Sequence, residues 1–328
     1  MLEDGSIIVA DRADALLFLY DSTGRFVRTL GGMGYGPGEF RMISGVAPLG
    51  GDTILVFDGT GRRLTTFTLD GDVTGTHTVE LPADFEHSLS GYELAGILEG
   101  DRAVLVPDAV PGQSRTQADT FRIDIPVLVV SREGELLHRL DGLWGMEAFG
   151  DELTTMIAPL GWRRIARVTE EGILSADVEA GVIERYDARG TPVQALQLSH
   201  DREPLPVHVQ DDWIESRTRG IEDRSQRAYF QRWLAQLPFP EHLPYLSDLH
   251  ADGDGRFWLR TATLPNEALG SQWIIVDAEG VPTAAIELPS ALRILELRGR
   301  HLLGLWTDSL GVQTVRSYDR EALSMRDG

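Results

Sequence analysis

The sequence predicts an all-β protein, a six-bladed β-propeller with a helical insertion between blades four and five. Short runs of alternating apolar residues, glycine turns between them, and a unit of four such runs recur along the 328 residues. Units of roughly 40–50 residues with four short strands are typical of propellers. A β-sandwich with accidental turn spacing is the alternative.

Hairpins organise each unit. Residues 16–20 read Leu-Leu-Phe-Leu-Tyr, 21–24 read Asp-Ser-Thr-Gly, and 25–30 read Arg-Phe-Val-Arg-Thr-Leu. A glycine at the end of such a turn accepts a positive φ, so the pattern predicts two strands joined by a tight turn. The corresponding turns end at Gly71, Gly134, Gly190 and Gly280, and a sixth copy, 312–318 followed by Asp319, lacks the glycine.

Unequal spacing of these turns indicates a common blade that carries insertions. The predicted blades form one domain and cover approximately 1–31, 42–79, 92–140, 161–198, 246–288 and 292–328. The insertion at 199–245 is predicted to hold a helix over about 212–237, as a lid over the channel or a strut on the blade rim. The first unit begins at its second strand and the last ends after its third. We therefore expect either about two N-terminal strands beyond those in this chain or an imperfectly closed ring.

A motif in the first two units carries a family resemblance. A glycine-rich segment ends Gly38-Glu39-Phe40, a strand ends Val56-Phe57-Asp58, and Arg63 follows; residues 9–12, Val-Ala-Asp-Arg, repeat the strand end. The pattern resembles the NHL-repeat propellers, and the layout is similar to bacterial six-bladed members, many of which have no assigned activity. The resemblance implies an extracytoplasmic location, although residues 1–5 do not read as a signal peptide.

Composition excludes several kinds of function. A net charge of -21 opposes nucleic-acid binding and, with no long apolar run, membrane insertion. The chain has no cysteine and no lysine, which excludes thiolate and Schiff-base chemistry. No cofactor and no metal ligand are predicted, and calcium or zinc stays an alternative. The four histidines at 200, 208, 242 and 250 lack helical i, i+4 pairing, and 252–255 is only part of a calcium-loop pattern.

Candidate site residues follow from propeller geometry. The long connections 31–42, 80–91, 107–126, 141–161 and 199–245 are predicted to emerge on one face, and the first strand of each blade lines the channel. The ligand-binding candidates lie at the channel mouth or in the lid: Arg41, Glu93, Trp162, Arg163, Arg164, His208, Tyr245 and Arg293. Arginines there can hold a carboxylate or phosphate, or can form internal salt bridges.

The predicted function is non-catalytic binding at this mouth, with a protein, a peptide, a glycan or a small anion as partner. The alternative is a metal-dependent lyase or lactonase with its site in the channel. Lactonases of the related gluconolactonase group, on the same architecture, hold a divalent metal with Glu, Asp and Asn side chains. The one asparagine of this chain is Asn266, which weakens that alternative.

Overall fold

Six antiparallel sheets of a β-propeller make up the computed structural model, which describes residues 1–108, 119–150, 155–199, 201–262, 270–323 and 326–327. The first strands are β1 (Ile7–Asp11), β2 (Leu16–Tyr20), β3 (Phe26–Gly31), β4 (Ile43–Gly50), β5 (Thr53–Asp58), β6 (Arg63–Thr68), β7 (Val73–Thr78), β8 (Tyr92–Leu98), β9 (Arg102–Pro107), β10 (Asp119–Asp124), β11 (Val127–Val130), β12 (Leu136–Leu140) and β13 (Gly145–Gly150). The others are β14 (Thr155–Ile157), β15 (Arg163–Thr169), β16 (Gly172–Asp177), β17 (Val182–Tyr186), β18 (Pro192–Gln197), β19 (Asp248–Ala251), β20 (Phe257–Arg260), β21 (Ser271–Val276), β22 (Pro282–Leu288), β23 (Leu292–Arg298), β24 (His301–Thr307), β25 (Gln313–Asp319) and β26 (Arg326–Asp327).

The sheets follow one another along the chain. Sheet I is β1-β2-β3, sheet II is β4-β5-β6-β7, and sheet III is β8-β9-β11-β12. Sheet IV is β15-β16-β17-β18 with three added strands, sheet V is β19-β20-β21-β22 with β26 on its outer edge, and sheet VI is β23-β24-β25. The first-listed strands of neighbouring sheets contact one another from sheet I round to sheet VI, so they line the central channel.

The predicted hairpin turns are present. At the first, the Gly24 N–H donates to the Asp21 carbonyl at 2.9 Å, with φ +79 at the glycine. Gly134 has φ +90, and a Cβ on it would lie 2.2 Å from the carbonyl oxygen of Thr78 in the neighbouring sheet. Glycine is needed there for backbone conformation and for close packing between sheets.

Apolar side chains fill the spaces between neighbouring sheets. One cluster joins sheets I and II around Leu17 and Phe67, and a larger one joins sheets II, III and IV. Two further clusters join sheet IV to V and sheet V to VI. Alternation along each strand sends successive side chains to opposite interfaces, which is why one short strand serves two clusters.

The NHL-like motif forms a connected bracket at the end of β5. Asp58 is fully buried, and its carboxylate accepts hydrogen bonds from the backbone N–H groups of Arg41, Met42 and Gly61. Arg63 donates to Asp58 and to the carbonyl oxygens of Tyr35 and Glu39 in the glycine-rich segment. Asp58 and Arg63 therefore fix the connection from sheet I to sheet II, as a structural crossover requires.

Two helices lie between β18 and β19, where one was predicted. They are α1 (Val209–Thr218) and α2 (Arg224–Leu234), 10 and 11 residues long. The chain turns at Gly220, and Asp223 caps α2 by accepting from the Gln226 N–H at 2.8 Å. Within the described part of the chain, neither helix is long and apolar enough to cross a membrane.

The helices pack on an annex, which we define as strands β10, β13 and β14. These strands occupy two of the predicted long connections and extend sheet IV where β13 pairs with the start of β15. Trp213, Trp233 and Leu237 of the helical insertion cluster with Phe149 of β13. The insertion thus buries an apolar face against the annex, in the manner of a strut.

Candidate functional site

Charged side chains from five sheets meet at the channel entrance. We define the entrance cluster as Arg12, Glu93, Asp108, Arg163, Arg167, Asp248 and Arg293. Glu93, Arg163, Arg167, Asp248 and Arg293 lie on the innermost strands of sheets III to VI, while Arg12 and Asp108 directly follow strands β1 and β9.

The pKa of Glu93 depends on the charges of several other residues of the entrance cluster. Burial is the main cause that raises its pKa, and the negative charge of Asp108 adds to the rise. The positive charges of Arg167, Arg12 and Arg293 oppose it. Because the raised pKa favours the neutral acid, Glu93 cancels less of the arginines' charge than an exposed glutamate would.

Two arginines of the cluster have carboxylate partners. Arg12 Nη1 lies 3.1 Å from Asp108 Oδ2, which joins sheet I to sheet III. Arg167 Nη2 lies 2.6 Å from Asp248 Oδ1, which joins sheet IV to sheet V. These pairs fix four of the seven side chains.

Asp248 is held in its charged form. Burial would raise its pKa, but the adjacent imidazole of His250 and the guanidinium of Arg167 outweigh that effect. The Leu249 N–H also donates to Asp248 Oδ1, at 2.8 Å. The pKa of Asp248 is therefore well below its ordinary value, and the Arg167–Asp248 pair persists over a wide pH range.

Arg163 and Arg293 have no carboxylate within 4.0 Å among the residues described. Burial lowers the pKa of Arg163; nearby Asp248 opposes this and Arg167 adds to it. Its Nη2 donates to the Ser247 carbonyl at 3.4 Å, a long hydrogen bond. Arg293 is exposed on β23. Both guanidinium groups keep donors free for a ligand at the entrance.

The structure brings three of the predicted site residues into this cluster, Glu93, Arg163 and Arg293. Trp162 and Arg164 take part in a different arrangement. Trp162 donates from Nε1 to Asp177 at 2.9 Å and lies under the guanidinium of Arg122. Arg164 donates to the Gly142 carbonyl at 2.6 Å and pairs with Glu184 at 3.2 Å. These two side chains hold the annex connection to sheet IV.

The other three candidates lie apart from the cluster. Arg41 is exposed and stacks over the ring of Tyr35. His208 precedes α1, exposed, with Nε2 3.9 Å from a carboxylate oxygen of Asp212. Tyr245 contacts the guanidinium of Arg202 through its ring. Among the described residues, neither Arg41 nor His208 forms a hydrogen bond or an ion pair with a cluster member.

Sequence reasoning missed four members of the cluster as site residues: Arg12, Asp108, Arg167 and Asp248. One signal was available for Arg167, since it lies four residues after Arg163 on a strand, and even spacing places both on one face. The partners of Arg12 and Arg167 come from other sheets, so only the closed ring identifies them.

In the described part of the chain, no three His, Asp or Glu side chains lie close enough together to hold a metal ion. The partial calcium-loop pattern forms an ionic bracket. Buried Asp252 pairs with Arg256 at 2.8 Å and with Arg320 at 3.3 Å, which ties sheet V to the segment after β25. Asn266 and His200 lie outside the described residues.

Comparisons with known proteins support the fold. A family model described as a 6-bladed beta-propeller matches residues 1–95. A candidate exported protein from Bacteroides fragilis superposes with a TM-score of 0.51 at 10% identity, over 94% of this chain and 78% of that one. A member of the DUF4221 family from Bacteroides vulgatus gives 0.50 at 9% identity, over 97% and 93%.

One curated relative resembles a part of the chain. The 6-deoxy-6-sulfogluconolactonase of Pseudomonas putida is 30% identical over 120 residues, which are 37% of this chain and 41% of that enzyme. The match spans less than half the length of this relative.

Proposed function

We propose that this propeller binds a small organic anion at the channel entrance, without catalysis, through Arg163 and Arg293. The observation that carries the proposal is the state of the four clustered arginines. Arg12 and Arg167 have carboxylate partners, whereas Arg163 and Arg293 have none among the described residues. Two guanidinium groups without a carboxylate partner, in a cluster whose glutamate has a raised pKa, favour an anion even in a chain of net charge -21.

The proposal treats the six sheets as six blades of an NHL-like propeller in one domain, with an extracytoplasmic location. The residues that support the NHL resemblance are Asp58 and Arg63, whose bracket organises the motif of the second sheet. Proteins, peptides and glycans are then partners through their anionic groups.

The test is calorimetric titration with a panel of carboxylates, sulfonates and sugar phosphates. Arg163→Gln and Arg293→Gln are each expected to weaken the best ligand by at least about tenfold, the effect of losing one charge-assisted hydrogen bond. Arg28→Gln is the matched control, because Arg28 pairs with Asp70 at a turn outside the cluster. Equal affinity in all three variants would contradict the proposal.

A lactonase is the second candidate, favoured by the partial match to 6-deoxy-6-sulfogluconolactonase. Its substrate class would be a sugar lactone that carries a sulfonate. Hydrolysis of such a lactone by the purified protein with added divalent cations, and its loss in Asp248→Asn, would support an enzyme. Binding of the sulfonate without turnover would support the first proposal.

A further inference from the structure

Sheet V carries three buried side-chain nitrogens that have no hydrogen-bond partner in the described structure. They are His250 Nε2, Arg260 Nε and Trp273 Nε1. Trp273 is 2% exposed, and the His250 side chain is 12% exposed. His250 Nε2 lies 3.7 Å from Asp248 Oδ2, so that carboxylate oxygen is its nearest partner. Native proteins pair nearly all such groups with protein, water or an ion, so Arg260 Nε and Trp273 Nε1 indicate an occupant.

The three residues share one face of the sheet. Arg260 is directly opposite Trp273 across β20 and β21, and directly opposite Asp248 across β19 and β20. His250 lies two residues after Asp248, hence on the same face. The rings of His250 and Trp273 are 5.7 Å apart between centroids. The unpartnered nitrogens are therefore neighbours at the channel side of the interface with sheet VI.

Apart from the carboxylate of Asp248, the surroundings are apolar. Trp273 belongs to the cluster between sheets V and VI, with Trp258, Ile275, Leu292 and Ile294. Apolar neighbours supply no hydrogen-bond acceptors, and they strengthen any electrostatic contact made among them. An occupant has to bring its own acceptor atoms.

The charge of the group favours an oxyanion. Arg260 has no carboxylate within 4.0 Å among the described residues, and an indole N–H can only donate. The adjacent carboxylate, Asp248, is bound at Oδ1 by Arg167 at 2.6 Å and by the Leu249 N–H at 2.8 Å, while its Oδ2 lies 3.7 Å from His250 Nε2. Arg167 neutralises the negative charge of Asp248 within the entrance cluster. The positive charge of the Arg260 guanidinium therefore has no carboxylate to neutralise it among the described residues.

We propose that His250, Arg260 and Trp273 form an oxyanion subsite that receives a carboxylate or sulfonate group between sheets V and VI. The proposal rests on the proposed function, since β19 contributes both Asp248 to the entrance cluster and His250 to this subsite. The guanidinium and the indole N–H donate to separate oxygens, and the imidazole ring of His250 lies beside the indole, 5.7 Å away between centroids.

The experiment follows the indole N–H signals of the 15N-labelled full chain, with Trp273 assigned by Trp273→Phe. Sodium acetate and sodium methanesulfonate are titrated separately at fixed ionic strength, which distinguishes a planar from a tetrahedral oxyanion. A saturable shift of the Trp273 signal is expected with at least one probe. Arg260→Gln is expected to raise the apparent dissociation constant at least about tenfold.

Arg316→Gln is the matched control, because Arg316 stacks on Trp306 at 4.2 Å in sheet VI and lies outside the subsite. The Trp306 signal also reports whether Arg260→Gln keeps the fold, and His250→Phe is a second variant if it does not. A Trp273 signal that neither probe shifts, or that shifts equally in the Arg260 and His250 variants, would overturn the subsite and leave water as the occupant.

The two proposals fail separately. If Arg163→Gln and Arg293→Gln weaken ligand binding while the Trp273 signal stays constant, the entrance proposal holds and the subsite is wrong. If the Trp273 signal responds and depends on Arg260, while the entrance variants bind normally, the subsite holds and the entrance proposal is wrong.

Discussion

Replacement of Asp58 by asparagine should destabilise the propeller strongly, although the two side chains have the same shape. Oδ1 accepts from the Gly61 N–H at 2.7 Å and the Met42 N–H at 3.3 Å. Oδ2 accepts from the Arg41 N–H at 2.9 Å and from Arg63 at 3.3 Å. Whichever oxygen becomes an amide NH₂, two donors lose their acceptor. At about 1.5–3 kcal/mol for each hydrogen bond to a charged group, the expected loss is roughly 3–6 kcal/mol.

Asp277→Asn is the control for this change. Both backbone donors of that exposed turn, from Glu279 and Val281, reach the same oxygen, Oδ1, so an asparagine can keep them. Its expected cost is below about 1 kcal/mol. Urea unfolding followed by circular dichroism measures both, with the slope checked for constancy. Similar unfolding midpoints for the two variants would refute the reasoning from the hydrogen bonds that each carboxylate oxygen accepts.

Two further changes test the entrance cluster and the packing between sheets. Glu93→Gln should stabilise the fold at neutral pH. Because the pKa of Glu93 is raised in the folded state, ionising this side chain costs stability, and the loss develops as pH rises from about 4 through the folded-state pKa. Thermal melting across pH should show the gain at pH 7 and none below about pH 4; a loss at pH 7 would show that the charged form is favoured. Gly134→Ala places a Cβ 2.2 Å from the Thr78 carbonyl oxygen at φ +90, whereas Gly24→Ala at φ +79 meets open space. The first should cost more than about 3 kcal/mol and the second about 1 kcal/mol; equal unfolding midpoints would show that the two sheets can separate at Gly134.

The helical insertion was predicted from the local sequence in part: a helix was expected, but not its division into two. The sequence predicts one helix over about 212–237, and α2 ends at Leu234. The break at 219–223 was missed, because the turn carries only Gly220 as a breaker and Asp223 acts as a cap for the second helix. The annex was also missed, since β10 and β13 are distant in sequence and pair only in the folded chain.

For the entrance cluster, the positions of some residues could be predicted from the sequence, but their ion-pair partners could not. Glu93, Arg163 and Arg293 could be placed at the channel because each lies near the start of a predicted first strand. Their electrostatic roles could not, because a free arginine and a paired one look alike in sequence. Arg167 is paired only because Asp248 of another sheet lies 2.6 Å away.

The sequence by itself determined the strand repeat and the glycine turns, because alternation and positive φ act within a few residues of the chain. The tertiary structure alone decided which arginines are neutralised and which buried nitrogens stay unpaired. Those properties depend on distances between sheets that are far apart in sequence, and Coulomb energies and hydrogen bonds change over a few ångströms.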